Sequence, residues 1–295
     1  MTDGDAALAA FEGERRRLFG IAYRMLGSVR EAEDVLQDAW IRWQEVEHAA
    51  VANPAAYLVR LVTRLCIDTL KAARSRRLEY VGPWLPEPLV EDRVESESAE
   101  EMLELADTLS TAFLLMLERL GPVERAVFLL RESFDFPFAE IARVVGRTEE
   151  NCRQIDRRAR LRLADERRAR PAGRAEHDRL LAGFLRATRE GDLDGLLQLL
   201  SDEAVAYSDG GGKATAARNP ITGARNVARF FLGLANRAAA MGLDLDFRLA
   251  EVNGRTGVLV HVGGHLHSVI TLYAEEGRIL RFFTVVNPDK LPALA

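Results

Sequence analysis

Phe138-Ala139-Glu140-Ile141-Ala142-Arg143-Val144-Val145-Gly146-Arg147-Thr148-Glu149-Glu150-Asn151-Cys152-Arg153-Gln154-Ile155 has the spacing of two helices joined by a tight corner. Ala142 is small enough for the helices to cross closely, Gly146 can take the positive φ of the turn, and Thr148 can cap the second helix through its hydroxyl. Counted from that cap, Cys152, Ile155, Ala159 and Leu163 share one face, and Glu150, Arg153, Gln154 and Arg157 share the opposite one. The first set is expected to pack inward and the second to be offered to a groove. Arg and Gln make bidentate contacts with guanine and adenine edges, Glu accepts from a cytosine amine, and Arg158 and Arg160 on the flanks suit phosphates. DNA is the expected partner. A helical hairpin with a merely solvated charged face is the alternative.

Around this motif, 295 residues suffice for two or three domains, each with its own core. No apolar run approaches the ~20 residues that span a bilayer, and Met1-Thr2-Asp3-Gly4-Asp5 is acidic where a secretory signal would be basic. A cytoplasmic protein without a membrane partner is expected. Cys66 and Cys152 fall in apolar helical slots, which favours core packing over a disulfide, so no metal or cofactor is expected. The net charge of -5 argues against a protein that coats DNA nonspecifically. The charge is unevenly spread: arginines crowd residues 60–77 and 153–170, and residues 91–104 are strongly acidic.

Residues 12–77 read as helices, broken at Gly27-Ser28 and restarted at Pro54 after Asn53. Pro83-Trp84-Leu85-Pro86-Glu87-Pro88 is neither helix nor central strand and reads as a stiff extended segment. A helix is expected over residues 99–120, and Gly121-Pro122 opens the helix before the motif. After Arg170-Pro171-Ala172-Gly173 the character changes. Two amphipathic helices around residues 180–185 and 193–200, a helix over 224–241 with a stripe of Val227, Phe230, Phe231 and Leu234, and strand-like runs at 257–262, 268–274 and 279–286 predict an α+β domain with helices covering a curved antiparallel sheet.

Two further faces carry charge. Arg60, Arg64, Lys71 and Arg74 lie within roughly 40° of one line on a 3.6-residue helix, opposite Leu61, Val62, Leu65 and Thr69, and Arg76-Arg77 extend the basic tract. With the helix-turn-helix, this predicts a clamp on duplex DNA at two places. Asp34, Gln37 and Asp38 share a face at i, i+3 and i+4, with Val35, Leu36, Ala39, Trp40 and Trp43 around the rest of that helix. DNA would repel this acidic face and a basic protein surface would attract it, so a protein partner is implied.

The order Ala32-Glu33-Asp34-Val35-Leu36-Gln37-Asp38-Ala39-Trp40, then Asn53-Pro54-Ala55-Ala56-Tyr57-Leu58, then Leu120-Gly121-Pro122-Val123-Glu124-Arg125 and the helix-turn-helix, resembles an extracytoplasmic-function sigma factor of bacterial RNA polymerase. The resemblance implies region two over residues 1–80, a linker over 81–108 and region four over 109–170. It implies that Asp34, Gln37 and Asp38 hold the β′ coiled coil of core polymerase and that the β flap is also contacted. It implies that Arg60, Arg64, Lys71, Arg74, Arg76 and Arg77 engage the minus-ten element, with a nontemplate base flipped into the loop over 45–53. Thr148, Glu150, Arg153, Gln154, Arg157 and Arg158 would then serve the minus-thirty-five element. Three segments, Trp84-Leu85-Pro86-Glu87-Pro88, Asp209-Gly210-Gly211-Gly212-Lys213 and Asn287-Pro288-Asp289-Lys290-Leu291, resemble the signatures of the subgroup fused to a SnoaL-like domain, here residues 175–295. The implied fold is two all-α sigma domains followed by an α+β SnoaL-like cone. The implied function is promoter recognition by an alternative sigma factor that its own C-terminal domain modulates, with a small-molecule ligand of the cone as a further partner.

Two other functions fit parts of the pattern. A one-component transcription factor would use a ligand-binding domain to control a lone helix-turn-helix, but it needs neither the acidic helix nor the basic one. An enzyme of SnoaL-like fold would need a general base in its cone, for which Asp209, His261, His265 and His267 are the candidates. His265 and His267 alternate on a strand and face one side, without a third ligand at metal spacing. A chain with no enzymatic role is expected.

Overall fold

The computed structural model of the protein describes residues 3–91, 109–164 and 171–291. Most of the acidic connector, and the first part of the helix expected over 99–120, lie outside the described residues. The chain divides into two compact units: Met1–Leu78 with Leu114–Glu166, and Glu79–Phe113 with Arg167–Ala295.

The first unit is helical. In α1 (Asp3–Leu26), Leu18, Ile21, Ala22 and Met25 are all essentially inaccessible, as the helical spacing requires. Gly27 then takes φ +68°, and the Ser28 hydroxyl accepts from the Glu31 amide at 3.2 Å, which starts α2 (Val29–Gln44). Trp43, 1% exposed, closes the base of α2 by donating its indole N–H to the Ala7 carbonyl at 3.0 Å. In α3 (Pro54–Leu78), Pro54 opens the first turn and the Asn53 side chain accepts from the Ala56 amide at 3.0 Å. This helix buries Leu58, Val59, Val62, Leu65, Cys66, Ile67, Leu70 and Ala73. Leu61 and Thr69, expected inside, are only half-buried. The reason is that α3 packs on α1, α2 and the helix-turn-helix at once, so its buried arc is wider than a single stripe and turned away from both.

Next come α4 (Thr111–Leu117), α5 (Pro122–Glu132), α6 (Phe138–Val145) and α7 (Glu149–Arg162). Arg125, 3% exposed, donates to the Met25 carbonyl at 2.7 Å and to Glu118 at 2.8 Å, joining α5 to the end of α1. A buried guanidinium needs this pairing: removing one partner of such a contact typically costs about 3–5 kcal/mol.

The second unit holds the sheet. Its elements are β1 (Val90–Glu91), α8 (Arg174–Glu190), α9 (Leu193–Leu199), β2 (Leu200–Asp209), β3 (Ile221–Thr222), α10 (Ala224–Ala240), β4 (Leu245–Val252), β5 (Arg255–Val262), β6 (His265–Glu275) and β7 (Arg278–Val285). The strand order is β1-β4-β5-β6-β7-β2-β3, antiparallel throughout except for the parallel pair β2 and β7. Ala204, Ala206, Val258, Val260, Ile270, Leu272 and Phe282 pack with Leu180, Leu181, Phe184, Val227 and Phe231 of the helices. Phe184, Phe231 and Phe282 are mutually in contact, with ring centroids 4.6 to 4.9 Å apart. Each such pair adds about 0.5–1.5 kcal/mol beyond area burial. The expected α10 stripe is only partly inside, since Leu234 is 49% exposed.

Candidate functional site

The corner of the helix-turn-helix forms as its residue types dictate. Gly146 sits at φ +66° and ends α6, and the Thr148 hydroxyl accepts from the Asn151 amide at 3.2 Å to begin α7. Cys152, Ile155, Ala159 and Leu163 are buried at 7% exposure or less. Burial also holds the Cys152 thiol above its ordinary pKa. Glu150, Arg153, Gln154, Arg157 and Arg158 are exposed. Arg153 is held against its own scaffold, pairing with Glu149 and lying over the Phe138 ring at 5.0 Å. Arg158 leans on the Gln154 carbonyl at 3.4 Å. Arg160, expected to suit phosphates, stays exposed but is paired within its own scaffold: its Nε donates to the buried Asp156 at 2.7 Å, and it also pairs with Glu132.

On α2, Asp34, Gln37 and Asp38 are exposed and unpaired among the described residues, while Val35, Leu36, Ala39 and Trp43 are buried beneath them. On α3, Arg60 lies over the Tyr57 ring at 5.2 Å, and Lys71 pairs with Asp68 at 3.1 Å. Arg64 caps the C-terminus of α6, donating Nε to the Val144 carbonyl at 3.0 Å and Nη2 to the Arg143 carbonyl at 3.4 Å. The unpaired carbonyls at a helix end carry partial negative charge, which a cation satisfies. Arg74, Arg76 and Arg77 belong to α3, but their side chains lie outside the described set. The loop over 45–53 contains a short 3-10 turn (His48–Ala50), whose His48 Nε2 donates to the Trp43 carbonyl at 2.9 Å while its ring meets the Trp43 ring edge-on at 4.5 Å.

The three signature segments converge. Asp209, with 0% exposure, ends β2 and accepts from the Tyr80 hydroxyl at 2.6 Å, the Leu85 amide at 2.9 Å and the Lys290 ammonium at 2.8 Å. Lys290 also donates to the Leu85 carbonyl at 2.6 Å and sits over the Trp84 ring at 4.2 Å. Asn287 donates to the Tyr80 hydroxyl at 2.9 Å and, through its Oδ1, accepts from the Asp289 amide to start the one-turn 3-10 helix Pro288–Lys290. Lys213 pairs with Asp289. Leu85, Pro86 and Pro88 are buried, Trp84 and Glu87 half-buried, and Leu291 packs on Val252, Leu259 and Val269. Beyond Pro88, the Leu89 carbonyl accepts from the Asn253 amide and β1 joins the edge of β4. Residues 79–91 thus form a strap bound to the C-terminal domain.

Gly211 explains why the turn after Asp209 carries glycine. Its φ is +56°, and a Cβ there would lie 2.3 Å from Asn287 Nδ2 and 2.9 Å from the Tyr80 hydroxyl. Gly210 and Gly212 complete the turn, Gly212 facing Val81 of the strap. Tyr80, absent from the sequence-based site, is central here. Burial and the neighbouring Asp209 carboxylate push its hydroxyl well above the ordinary tyrosine range. The only sequence signal was an aromatic wedged between the end of α3 and Gly82-Pro83.

The enzyme candidates do not assemble. Asp209 is committed to three donors and lies outside the concave core, since Ser208, Ala206 and Ala204 take the alternate positions of β2. His265 and His267 are exposed near one end of β6, and His261 is buried opposite Asp246 of β4. Among the described residues, no cluster has metal-ligand geometry, and no helix is long and apolar enough to cross a membrane.

Comparison with known proteins agrees with this arrangement along the whole chain. Residues 10–76 match Sigma-70 region 2, and residues 110–163 match Sigma-70, region 4. The chain is 35% identical to the ECF RNA polymerase sigma factor SigJ of Mycobacterium tuberculosis, covering 96% of this chain and 92% of that one. It is 31% identical to the "Probable ECF RNA polymerase sigma factor SigI" of the same species, covering 100% and 98%. The crystal structure of M. tuberculosis SigJ superposes with a TM-score of 0.77 at 32% identity, covering 96% of this chain and 97% of that one. Matches of this extent include the C-terminal SnoaL-like α+β domain as well as the two helical regions. With its acidic α2, its capped helix-turn-helix and its strap, the chain belongs to the extracytoplasmic-function RNA polymerase sigma factors, in the subgroup with a fused SnoaL-like domain.

Proposed function

We propose that this alternative sigma factor docks on core RNA polymerase through Asp34, Gln37 and Asp38, which meet the β′ coiled coil, and through region four, which meets the β flap. The basic face of α3, Arg60 to Arg77, engages the minus-ten element, and the 45–53 loop receives a flipped base. The outward face of α7 reads the minus-thirty-five element, with Arg153, Gln154 and Arg157 at base edges and Thr148, Glu150 and Arg158 around them. The observation that carries this reading is the exposed face of Asp34, Gln37 and Asp38 on α2, unpaired among the described residues and set over a buried apolar floor. It has no use in a regulator that binds operators alone. A gel shift on a promoter fragment, with and without core polymerase, tests it: a specific complex is expected only with polymerase. Tight specific binding by the free chain would favour a one-component transcription factor instead.

The C-terminal domain acts in cis by gripping the strap that connects regions two and four. Support comes from the meeting of all three signature segments at Asp209. Arg64 commits two of its five donors to the end of α6, which orients its guanidinium before any contact with DNA. Deleting the domain would leave Leu85 and the strap uncovered, so a point variant is the cleaner probe. Lys290→Met is expected to change promoter-dependent transcription with core polymerase by several-fold; unchanged activity would remove the regulatory role. A small-molecule ligand also belongs to this reading. The phenylalanine-packed concave face favours the rim of the domain as its place.

A further inference from the structure

β2 ends at Asp209, and residues 210–220 loop back before β3. The loop is tied at its start by Lys213 and Ala214 amides donating to the Gly210 carbonyl at 2.9 and 3.1 Å. The strap passes beside it: a Cβ on Gly212 would lie 3.3 Å from the Val81 side chain, and one on Gly82, at φ +84°, would lie 3.8 Å from the Arg218 backbone. Between loop and strap is an open cavity of about 340 Å³. That is within the size range of small-molecule sites, roughly 300–1,000 Å³.

The lining has a definite chemistry. Lys213 and Arg218 bring two cations, Ser208 and Thr215 bring hydroxyls, and the remaining wall is glycine, alanine and valine, without a carboxylate. Lys213 is shared with Asp289, while Arg218 has no charge partner among the described residues. Ser208 is 4% exposed, so its hydroxyl is a recessed group rather than a surface one. In a chain of net charge -5, a pocket lined only by positive charge selects anions. One unpaired guanidinium matches a carboxylate through its forked donors, and the small apolar wall suits a short carbon skeleton.

We propose that this cavity binds a small organic carboxylate, and that occupancy is felt by the strap because Val81 and Gly82 form one of its walls. The second half rests on the cis-regulatory reading; the first does not. A ligand shifts an equilibrium only by its differential affinity for two states, and here the wall itself differs between strap bound and strap released.

Saturation-transfer NMR on the full chain, without polymerase, tests the site with benzoate, hexanoate and succinate and with benzamide, hexanamide and succinamide as neutral counterparts. At least one carboxylate is expected to bind saturably, with its amide at least tenfold weaker. Arg218→Ala should weaken binding at least tenfold, and Arg218→Glu should abolish it. Arg218 is exposed, so both variants should melt like the parent. Absence of saturable carboxylate binding, or binding that survives Arg218→Glu, overturns the site. Hydrogen exchange at the Leu85 amide, which is bonded to Asp209, reads the coupling: altered protection with the bound carboxylate is expected, and unchanged protection overturns the link to the strap while leaving the site standing.

Discussion

At Asp209 one buried carboxylate gathers a phenol, an amide and an ammonium. Burying a charge is tolerated only where each partner is in place, and removing one partner of such a pair typically costs about 3–5 kcal/mol. Asp209→Asn should therefore destabilise the second unit by about 3 kcal/mol in urea denaturation, because Lys290 is left charged and largely shielded from water beside Trp84 and Leu85. A loss below about 1 kcal/mol would mean the pair behaves like a surface contact. Gly211→Ala should act on the same cluster through sterics, displacing Asn287 and Tyr80, and should lower the melting temperature by several degrees. His177 offers a pH test. Burial lowers its pKa from the ordinary 6.5, opposed by the bond from Nε2 to the Thr256 carbonyl at 2.8 Å and reinforced by Arg255. The unfolded chain then binds the proton more tightly, so stability present above pH 6.5 declines as pH falls below that value. Melting curves from pH 7.5 to 5 (about the range where histidine titrates) should show this slope, and His177→Gln, which keeps an N–H donor, should flatten it.

Among the elements, α7 and α2 illustrate opposite uses of one exposed face. The face of α7 is cationic over a floor of Cys152, Ile155 and Ala159, and Arg157 is the member not held by an intramolecular contact among the described residues. Arg157→Ala should weaken holoenzyme binding to the minus-thirty-five element by roughly tenfold, about the 1–3 kcal/mol of a good base contact. Arg153→Ala should cost less, since Arg153 must first leave Glu149 and the Phe138 ring. The face of α2 carries Asp34 and Asp38, and under the proposed function it meets protein. Asp34→Lys with Asp38→Lys should prevent assembly with core polymerase in a pull-down while leaving the far-UV spectrum unchanged; intact assembly would move the docking site elsewhere.

Taken as a whole molecule, the chain is two compact units, and the strap belongs with the second although it lies between the two sigma regions in sequence. Lys290→Met should therefore lower the thermal transition of the second unit and leave that of the first in place, which calorimetry on the full chain resolves. A single transition moving as one would show that the units unfold together.

Much of the helical half could be read from residue order alone, because its signals are local. A cap such as Thr148, a left-handed glycine such as Gly146 and an apolar stripe such as Leu18, Ile21, Ala22 and Met25 act within one or two turns. The exposed trio Asp34, Gln37 and Asp38 on α2 was legible for the same reason. β2 was harder to see, since Ser201-Asp202-Glu203 interrupts it and its inward positions are Ala204, Ala206 and Ser208, too small to mark a strand. Distance in sequence hid the rest. Tyr80 reaches Asp209 across 129 residues and Asn287 across 207, Arg64 finds the carbonyls of α6 across 80 and 79, and Arg160 turns to Glu132 across 28. Local spacing decides which face of a helix is wet. Which charges find each other depends on where folding brings remote segments, and no window of residues contains that information.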